Sequence, residues 1–432
     1  MDEQALLHGL INAAVSAVMP ENFIPAEVHA EGSRLTIRGK SLDLSAFRHV
    51  YVISVGKAAL GMAEALDKLI RPFVSEGIVV TKHLPASGRT DGRYRILRGG
   101  HPLPTAESVA AAEAVLALAD RAGADDLVIF LISGGGSALM TAPMDGISLQ
   151  TFQTFSDQIL GCGADIKEFN TLRKHLDGVK GGRLAGRAAP ARQITLILSD
   201  VVGSPLDVIA SGPTVPDPTT YRDALDILDR YAPRADFPRK IRETLQKGAE
   251  GGLPETLKTA LSGQDVFLLA SNRTAAYAAA REAERLGIPA RVINTRLTGE
   301  ASAAGEMLPS FFSELEAPGI LIFGGETTVH IQGKGTGGRN QELALAAVRP
   351  MAEWPGCTLM TLATDGEDGP TDAAGAIVTQ QTLSRALECG CVPEKYLAEN
   401  DAYHFFEKTG SLLRTGSTGT NVNDLTFLIR FH

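Results

Sequence analysis

Cysteine is scarce in this sequence, and its four occurrences are unevenly placed: Cys162, Cys357, Cys389 and Cys391. Only Cys389 and Cys391 are close together, and a C-x-C pair alone offers too few ligands for a zinc site. We expect all four to be structural or incidental. Such sparse cysteine suits a reducing compartment, where disulfides do not persist.

Long apolar runs and an excess of basic charge are also missing. No stretch of about 18 uninterrupted apolar residues occurs, so no membrane span is expected. The N-terminus has two acids directly after Met1 and lacks the basic segment of a secretory signal, while its apolar residues recur at helical spacing. The formal net charge of −9 argues against a general nucleic-acid binder. The sequence therefore predicts a soluble, cytoplasmic protein that binds neither nucleic acid nor membrane.

The order of apolar segments predicts an α/β fold in two domains, the number expected for 432 residues. Segments 51–55, 126–132 and 193–198 are apolar without polar alternation, and helical segments separate them. Such runs are typical of parallel strands covered on both faces. Residues 1–240 are therefore predicted to form a Rossmann-like, doubly wound α/β/α sandwich with a mostly parallel sheet.

A break rich in proline and charge over residues 232–239 predicts a domain boundary near residue 240. Residues 241–432 are predicted to form a second α/β domain with a mixed sheet. Its predicted strands lie at residues 266–270, 290–293, 319–323, 328–331, 358–363 and 425–429.

A run of small residues, SGGGS at 133–137, directly follows one of the buried strands. Backbone N–H groups of successive glycines can converge without Cβ obstruction, so this run predicts a nest for a phosphate or a carboxylate. The alternative is a plain tight turn, for which three consecutive glycines are entropically costly. Lys57 likewise follows a strand and a glycine and begins a helix, where a lysine is unfavourable unless an anion is nearby.

Acidic residues follow two other predicted strands. Asp200 comes after strand 193–198, at the strand end where α/β proteins form ligand crevices. It could hold Mg²⁺, orient a nucleophile or simply cap the next element. Asp365 lies in a TDGEDG segment at 364–369, whose acids suit a hydrated divalent metal but also suit an ordinary solvated turn.

Glycines surround Arg339 in the segment GKGTGGRNQE at 333–342. A planar, permanently charged guanidinium beside flexible glycines can follow the charge of a transferring phosphoryl group, although it could instead bridge or cap a loop. The glycines at 333–338 also match G-x-G-x-x-G, a loose dinucleotide-binding arrangement. The polar stretch 326–332 before them and the late position of Asp365 argue against that arrangement.

A basic segment follows residue 170 and comprises Arg173, Lys174, Lys180 and Arg183. These side chains could bind a substrate carboxylate, or they could form a solvated basic face. No Walker-type phosphate loop and no H-R-D or D-F-G kinase set occurs, and neither H-E-x-x-H nor G-x-S-x-G is present.

Taken together, nine segments spread over nearly the whole chain resemble the two-domain glycerate 2-kinase family, whose C-terminal half carries a MOFRL domain (here about residues 318–425). The segments are VGKAA (55–59), GGHPLPT (99–105), SGGGSAL (133–139), NTLRKHLDGVKGGRLA (170–185), SDVVGSPLDVIASGPTVPDPTT (199–220), GGETTV (324–329), GKGTGGRNQELAL (333–345), ATDGEDGPTDAAGA (363–376) and TGSTGTNVNDL (415–425).

The resemblance implies ATP-dependent phosphorylation of the 2-hydroxyl of D-glycerate with Mg²⁺, in a cleft between the domains. It implies Lys57 and Arg339 as the key charged residues, and Asp200 is the third catalytic candidate. Asp200 and Asp365 are the predicted metal ligands. The residues predicted to bind substrate or nucleotide are Ser133, Gly134, Gly135, Gly136, Ser137, His101, Arg173, Glu326, Thr327, Gly337, Gly338, Asn340 and Asn423.

The partners expected are therefore a small-molecule substrate and a nucleotide, in a monomer or homodimer. Two alternatives stay open at this point. One is an NAD(P)H-dependent hydroxypyruvate reductase, a name that members of the family often carry. Such an enzyme would bind its dinucleotide at the glycine turn 333–338. A non-catalytic sensor would bind a sugar acid or nucleotide without turnover.

Overall fold

The computed structural model of the chain describes residues 3–84 and 92–431. No helix among these residues has both the length and the apolar character needed to cross a membrane. In chain order the strands of the described residues are β1 (Val28–Glu31), β2 (Arg34–Ile37), β3 (Lys40–Asp43), β4 (Val50–Val55), β5 (Val74–Thr81), β6 (Tyr94–Arg98), β7 (Leu127–Ile132), β8 (Arg192–Leu198), β9 (Gln264–Ala270), β10 (Ala290–Leu297), β11 (Gly319–Gly325), β12 (Cys357–Ala363), β13 (Gly375–Thr379), β14 (Leu412–Leu413) and β15 (Asp424–Arg430).

The α-helices of the described residues are α1 (Glu3–Ser16), α2 (Pro20–Glu27), α3 (Ala59–Ile70), α4 (Ala106–Ala119), α5 (Gly136–Leu139), α6 (Leu149–Gly161), α7 (Ile166–His175), α8 (Arg183–Ala188), α9 (Tyr221–Tyr231), α10 (Arg239–Ala249), α11 (Asn272–Arg285), α12 (Ala301–Met307), α13 (Arg339–Met351), α14 (Gln380–Glu388), α15 (Pro393–Ala398) and α16 (Ala402–Thr409). Short 3₁₀ helices occupy Leu44–Ala46, Ile209–Ser211 and Leu308–Glu314.

The N-terminal sheet contains six strands in the order β6-β5-β4-β7-β8-β9. The pairs β4–β5, β4–β7, β5–β6 and β7–β8 are parallel. Every residue of β4 and β7 is buried, which requires cover on both faces and explains why these strands are apolar without alternation. The predicted doubly wound sandwich with a mostly parallel sheet is confirmed.

The chain reverses its direction across this sheet between β4 and β7. From β4 it proceeds to β5 and β6 on one side, and it then returns to β7 on the other side of β4. Val55 at the end of β4 pairs with Ile132 at the end of β7. In open parallel sheets the loops that leave such a reversal diverge and leave a crevice beyond the carboxyl ends of the strands. The loops after β4 and β7 therefore lie where a ligand site is expected.

The C-terminal sheet also contains six strands, in the order β10-β11-β15-β12-β13-β14. The β10–β11 pair is parallel, and the remaining pairs are antiparallel, as the predicted mixed sheet requires. Helix α13 covers this sheet, because Leu343 and Val348 share one apolar core with Phe323 and Leu428. A separate three-stranded antiparallel sheet is formed by β1, β2 and β3.

The chain forms two compact units, each built from more than one segment. The N-terminal unit comprises Phe23–Leu198 and Ser204–Leu269 and holds the N-terminal sheet. The C-terminal unit comprises Ser199–Gly203 and Ala270–His432, together with the residues up to Asn22, and holds the C-terminal sheet. Residues 241–269, assigned to the second domain by the predicted boundary, lie in the N-terminal unit, since β9 adds an edge strand to its sheet.

One predicted strand is wrong. Residues 328–331 form no strand, and Thr328 makes only an isolated bridge to Glu300. Ile331 is 77% exposed, so its apolar side chain does not reflect burial in a sheet. The local β-branched composition alone was therefore a misleading signal, because strand formation depends on a neighbouring strand as well as on propensity.

Two glycines inside helices of the N-terminal unit differ in the space around them, so alanine substitutions there distinguish the effect of packing from that of helix propensity. A Cβ on Gly248 in α10 would lie 2.3 Å from the fully buried ring of Tyr221, whereas a Cβ on Gly186 in α8 would meet nothing within 4 Å. We expect Gly248→Ala to lower the free energy of unfolding by about 1–3 kcal/mol through overpacking. Gly186→Ala should raise it by about 0.5–1 kcal/mol, because alanine favours the helix. Urea unfolding followed by circular dichroism measures both, and equal effects would contradict the packing at Tyr221.

Candidate active site

The turn after β4 brings Lys57 to the carboxyl edge of the N-terminal sheet. Gly56 has a φ of +132°, and a Cβ there would lie 2.1 Å from Ser133 Oγ, so glycine is needed for the turns after β4 and β7 to touch. The Lys57 N–H donates to the Gly134 carbonyl at 2.8 Å, and the Ala58 N–H donates to Ser133 Oγ at 3.2 Å. The Lys57 side chain is exposed and forms no ion pair with any described residue.

The turn at residues 133–137 presents a row of backbone donors. Gly135 has a φ of +79° and directly precedes α5. Within the described parts of the chain, the N–H groups of residues 134–137 have no hydrogen-bond acceptor, although Gly134 and Gly136 are buried. Leaving buried N–H groups unpaired is costly, so a run of four beside a lysine fits a site for an anion.

His101 lies against the same turn as Lys57. A Cβ on Gly135 would stand 3.1 Å from a His101 ring carbon and 3.1 Å from Lys57 Cγ, so the absence of a side chain there lets both groups approach the backbone. Burial, together with the positive charges of Lys57 and Lys82, lowers the pKa of His101 to about 4. The imidazole is therefore neutral near pH 7 and can serve as a donor or an acceptor of a hydrogen bond.

A second polar group reaches this turn from α7. Ser137 Oγ lies 2.8 Å from Ser211 Oγ, and Ser211 Oγ accepts a hydrogen bond from Arg173 Nη2 at 3.2 Å. The predicted binding residue Arg173 is thereby joined to the turn at 133–137. Ser211, which was not among the predicted site residues, makes the connection.

The segment after residue 170 does not form the solvated basic face that was one of its two interpretations. Lys174 is 2% exposed and pairs with Asp217 at 3.2 Å, and Lys180 is 1% exposed and pairs with Asp177 at 2.5 Å. Buried charges need such partners because desolvation is otherwise uncompensated. Arg183 instead donates to the Tyr221 hydroxyl at 2.9 Å.

In the C-terminal unit, Arg339 begins α13 and is held by two carboxylates. Its Nε donates to Asp424 at 2.5 Å, and its Nη1 donates to Glu326 at 2.8 Å. Gly325 at the end of β11 pairs with Asp424 at the start of the antiparallel strand β15, so both acids lie at one edge of the sheet. Burial alone would lower the pKa of Arg339, but Asp424 and then Glu326 outweigh burial and raise it. Asp424 was not predicted, although an acid directly before an apolar strand was a signal that could have indicated it.

Asp368 caps the start of α13 from a distant loop. Its carboxylate accepts the Asn340 N–H at 3.1 Å and the Gln341 N–H at 2.8 Å, and it also accepts from the Asn340 side chain at 3.3 Å. A Cβ on Gly338 would lie 2.4 Å from the Asp368 carboxyl carbon, so glycine admits the acid. Gly338 and Asn340, predicted to bind substrate or nucleotide, here hold the start of the helix.

The earlier glycines of this loop serve close packing. A Cβ on Gly333 would lie 2.2 Å from the backbone of Glu399, and a Cβ on Gly335 would lie 2.3 Å from Asp401. The Gly333 N–H donates to the Asn400 side chain at 2.9 Å. Glycines of a dinucleotide turn directly follow a strand and face a pyrophosphate. Here they face their own chain, and the described segment 326–338 contains no strand, which counts against the dinucleotide alternative.

Asp365 and Asn423 lie at the same edge of the C-terminal sheet as Asp424. Ala363, the last residue of β12, pairs with Asp424. Asp365 follows two residues later and accepts a hydrogen bond from the Asn421 side chain at 2.9 Å. Asn423 has a φ of +67°, and Asn is one of the residues that tolerate this left-handed backbone. Asp365 therefore joins Asp424 and Glu326 at this edge, near the start of β15.

The other predicted residues occupy distinct positions. Thr327, which follows Glu326 in the sequence, is buried. The Gly337 carbonyl oxygen packs against Gly369, where an added Cβ would lie 2.3 Å from that oxygen. Asp200 is half-buried and follows the last residue of β8 by two positions. Across the described chain no three His, Cys, Asp or Glu side chains are grouped to hold a metal ion. Mg²⁺ bound by one or two carboxylates and phosphate oxygens does not need such a group.

Comparison with known proteins gives consistent matches along the chain. A domain of unknown function (DUF4147) matches residues 6–246, and the MOFRL family matches residues 319–424. The chain is 42% identical to the glycerate 2-kinase of Pyrococcus horikoshii, over 99% of this chain and 98% of that protein. It is 40% identical to the D-glycerate 2-kinase of Thermotoga maritima, over 96% and 95% of the two chains. The crystal structure of the Thermotoga maritima glycerate kinase matches with a TM-score of 0.88 at 38% identity, covering 99% of each chain.

The cap at α13 predicts a pH-dependent stability. Burial raises the pKa of Asp368 to about 6, above the ordinary value of about 4. The folded state therefore holds this proton more tightly than the unfolded state, so the contribution of Asp368 to stability falls as the pH rises from about 4 to 6 and is constant above. In the parent protein we expect the Asp368 contribution to lower the free energy of unfolding by roughly 1–3 kcal/mol between about pH 4 and 6, and Asp368→Asn should remove this decline. Urea unfolding of both proteins from pH 4 to 7 measures it, and parallel curves would contradict the prediction.

Proposed function

The chain belongs to the glycerate 2-kinase family and is a kinase that uses a nucleotide, and we propose that it transfers the γ-phosphoryl group of ATP to D-glycerate. The proposed acceptor is the hydroxyl on carbon 2, and the product is 2-phosphoglycerate. The names of the Pyrococcus and Thermotoga relatives support this choice of carbon. The phosphoryl-transfer chemistry is supported by Lys57 and the N–H groups of residues 134–137 in the N-terminal unit, and by Arg339 in the C-terminal unit.

The observation that carries the proposal is the row of N–H groups at residues 134–137, beside the exposed Lys57, for which residues 3–84 and 92–431 supply no acceptor. Phosphoryl transfer needs positioning and charge stabilisation more than covalent chemistry. Backbone donors fixed by the contact of two turns are already oriented, so they do not reorganise as charge develops. We assign Lys57 and this nest to the phosphoryl group, with His101 as a neutral hydrogen-bonding neighbour.

Arg339 is the proposed cation from the C-terminal unit. Asp424 and Glu326 hold its guanidinium at 2.5 and 2.8 Å, which fixes its orientation before any substrate binds. A preoriented guanidinium stabilises the charge that spreads over a transferring phosphoryl group. Thr327, beside Glu326, is proposed to contact the substrate or the nucleotide.

In the proposed reaction the carbon-2 hydroxyl oxygen of D-glycerate forms a bond to the γ-phosphorus of ATP, the bond to the bridging oxygen breaks, and ADP leaves. Asp200 is proposed to accept the hydroxyl proton, or to hold Mg²⁺ while the proton passes to water. Asp365 is the other proposed metal ligand. Carboxylate oxygens are the donors that Mg²⁺ prefers, so these residues fit the ion. When bound, the ion would supply neutralisation of phosphate charge.

The proposal is tested with purified protein, Mg-ATP and D-glycerate, by measuring ADP release and identifying the product by phosphorus NMR. We expect ADP and a 2-phosphoglycerate signal in equal amounts. A 3-phosphoglycerate signal would overturn the carbon-2 assignment alone. Oxidation of NAD(P)H with hydroxypyruvate and no ADP release would favour the reductase, while ligand binding with no turnover of either kind would favour the sensor.

Lys57 offers a direct test of the anion nest. Lys57→Ala should lower kcat by about 10³–10⁵-fold, equivalent to about 4–7 kcal/mol, because it removes a cation proposed to act on the transferring group. Lys68 in α3 is a matched control, since it is also an exposed lysine of the N-terminal unit. Lys68→Ala should leave kcat within about twofold of the parent. Normal turnover by Lys57→Ala would refute the assignment of Lys57.

A further inference from the structure

Arg173 differs from the buried lysines of its segment in making no direct ion pair with a described residue. Lys174 and Lys180 each pair with a carboxylate at 3.2 Å or less. In the described chain no Asp or Glu oxygen lies within ion-pair distance of the Arg173 guanidinium. Burial lowers the pKa of Arg173 to about 10, and the charge of Asp177 offsets only part of the cost of burial. A positive charge is thus held in a partly dry environment with no carboxylate of the described residues in direct contact.

The hydrogen bonds of Arg173 hold its side chain in place and leave donors open. Nη2 donates to Asn170 Oδ1 at 2.5 Å and to Ser211 Oγ at 3.2 Å, and the guanidinium stacks on Phe169 with 4.5 Å between its carbon and the ring centroid. Nε is fully buried and has no partner among the described residues, and Nη1 donates to none of them. The guanidinium is therefore oriented by neutral groups, and Nη1 is the donor left for a ligand.

Ser211 is held by an unusual backbone. Ala210 and Ser211 have φ values of +50° and +60°, in the left-handed region that disfavours residues with a side chain. Such conformations persist where the surrounding structure requires them, and they cluster at ligand sites. Here the strained backbone places Ser211 Oγ 2.8 Å from Ser137 Oγ, at the end of the nest, and 3.2 Å from Arg173.

We propose that Arg173, Ser211 and Ser137 form a carboxylate subsite that recognises the acid group of the acceptor. This inference rests on the proposed function, since it assigns the acceptor to one side of the same turn. Lys57 and the backbone nest take the phosphoryl group. The guanidinium and one hydroxyl proton of the Ser137–Ser211 pair are left for the other anion, since one serine already donates to the other. Arg173 is a specificity-determining residue in this arrangement, because it rejects acceptors that carry a hydroxyl but no carboxylate.

The test compares D-glycerate with its neutral amide, D-glyceramide, as acceptors for the full chain. We expect Arg173→Met to lower kcat/KM for D-glycerate by about 10²–10³-fold, mainly through KM, because one partner of a desolvated charge pair is removed. Its kcat/KM for D-glyceramide should change by less than about threefold, so that the preference for the acid collapses. Ser211→Ala should cause a smaller loss of about tenfold for D-glycerate.

Two further variants separate recognition from folding. Arg173→Lys keeps the charge and should restore part of the preference for D-glycerate. Arg183→Met is the matched control, because Arg183 is likewise part-buried in the N-terminal unit but donates to the Pro254 carbonyl and the Tyr221 hydroxyl. It should leave the preference unchanged. If Arg173→Met keeps the preference, or if Arg183→Met abolishes it equally, the subsite is refuted while the kinase proposal stands.

Calorimetric binding of D-glycerate without nucleotide distinguishes failure of the two proposals. Binding that depends on Arg173 in a protein with no phosphoryl transfer would support the subsite and refute the kinase proposal. Phosphoryl transfer together with D-glycerate binding that is independent of Arg173 would support the kinase proposal and refute the subsite. A chain that neither binds nor phosphorylates D-glycerate would overturn both.

Discussion

The contact between the turns after β4 and β7 is the constraint on which the polar edge of the N-terminal unit depends. Because Gly56 has no Cβ, Ser133 can lie closer to it than a side chain would allow. The backbone N–H groups of Lys57 and Ala58 then donate hydrogen bonds to the turn after β7. Because β4 and β7 are parallel neighbours at the reversal of the sheet, both turns leave the same edge. This contact, rather than sequence proximity, brings Lys57 to the row of N–H groups, and the missing side chain at Gly135 lets His101 approach both.

The two units differ in whether the cations proposed to act on the substrates are paired with carboxylates. In the N-terminal unit, Lys57 and Arg173 make no direct ion pair with any described residue, while Lys174 and Lys180 nearby are each paired with a carboxylate. In the C-terminal unit, Arg339 is surrounded by acids and keeps its charge through them. An unpaired cation is ready to take an anionic ligand, whereas a paired one is fixed in orientation and contributes direction more than net charge. Anionic substrates are therefore expected to gain their Coulombic attraction mainly from the N-terminal unit.

The sheets and the main turns could be predicted because their signals are local. Buried parallel strands such as β4 and β7 are apolar throughout, and the triple glycine at 134–136 is a signal that needs no tertiary contact to detect. Other features depend on residues distant in the chain. Arg339 meets Asp424 across 85 positions, and Asp368 caps a helix that begins 29 positions earlier. The interpretation of Lys174 as solvated failed for the same reason, because a lysine carries no local sign of the acid that will bury it.

The α/β class, the parallel character of the first sheet and the positions of the glycine turns are encoded locally, since they follow from apolar periodicity and backbone freedom. Which of these glycines leave N–H groups open, and which admit a neighbouring segment of the chain, depends on the folded contacts. The glycines at 134–136 and those at 333–338 look alike in sequence. The N–H groups of the first set have no acceptor in the part of the chain that the structure describes, and the second set packs against Glu399, Asp401 and Asp368. That difference arises because hydrogen-bond partners and excluded volume are set by segments far apart in the chain, which local composition does not encode.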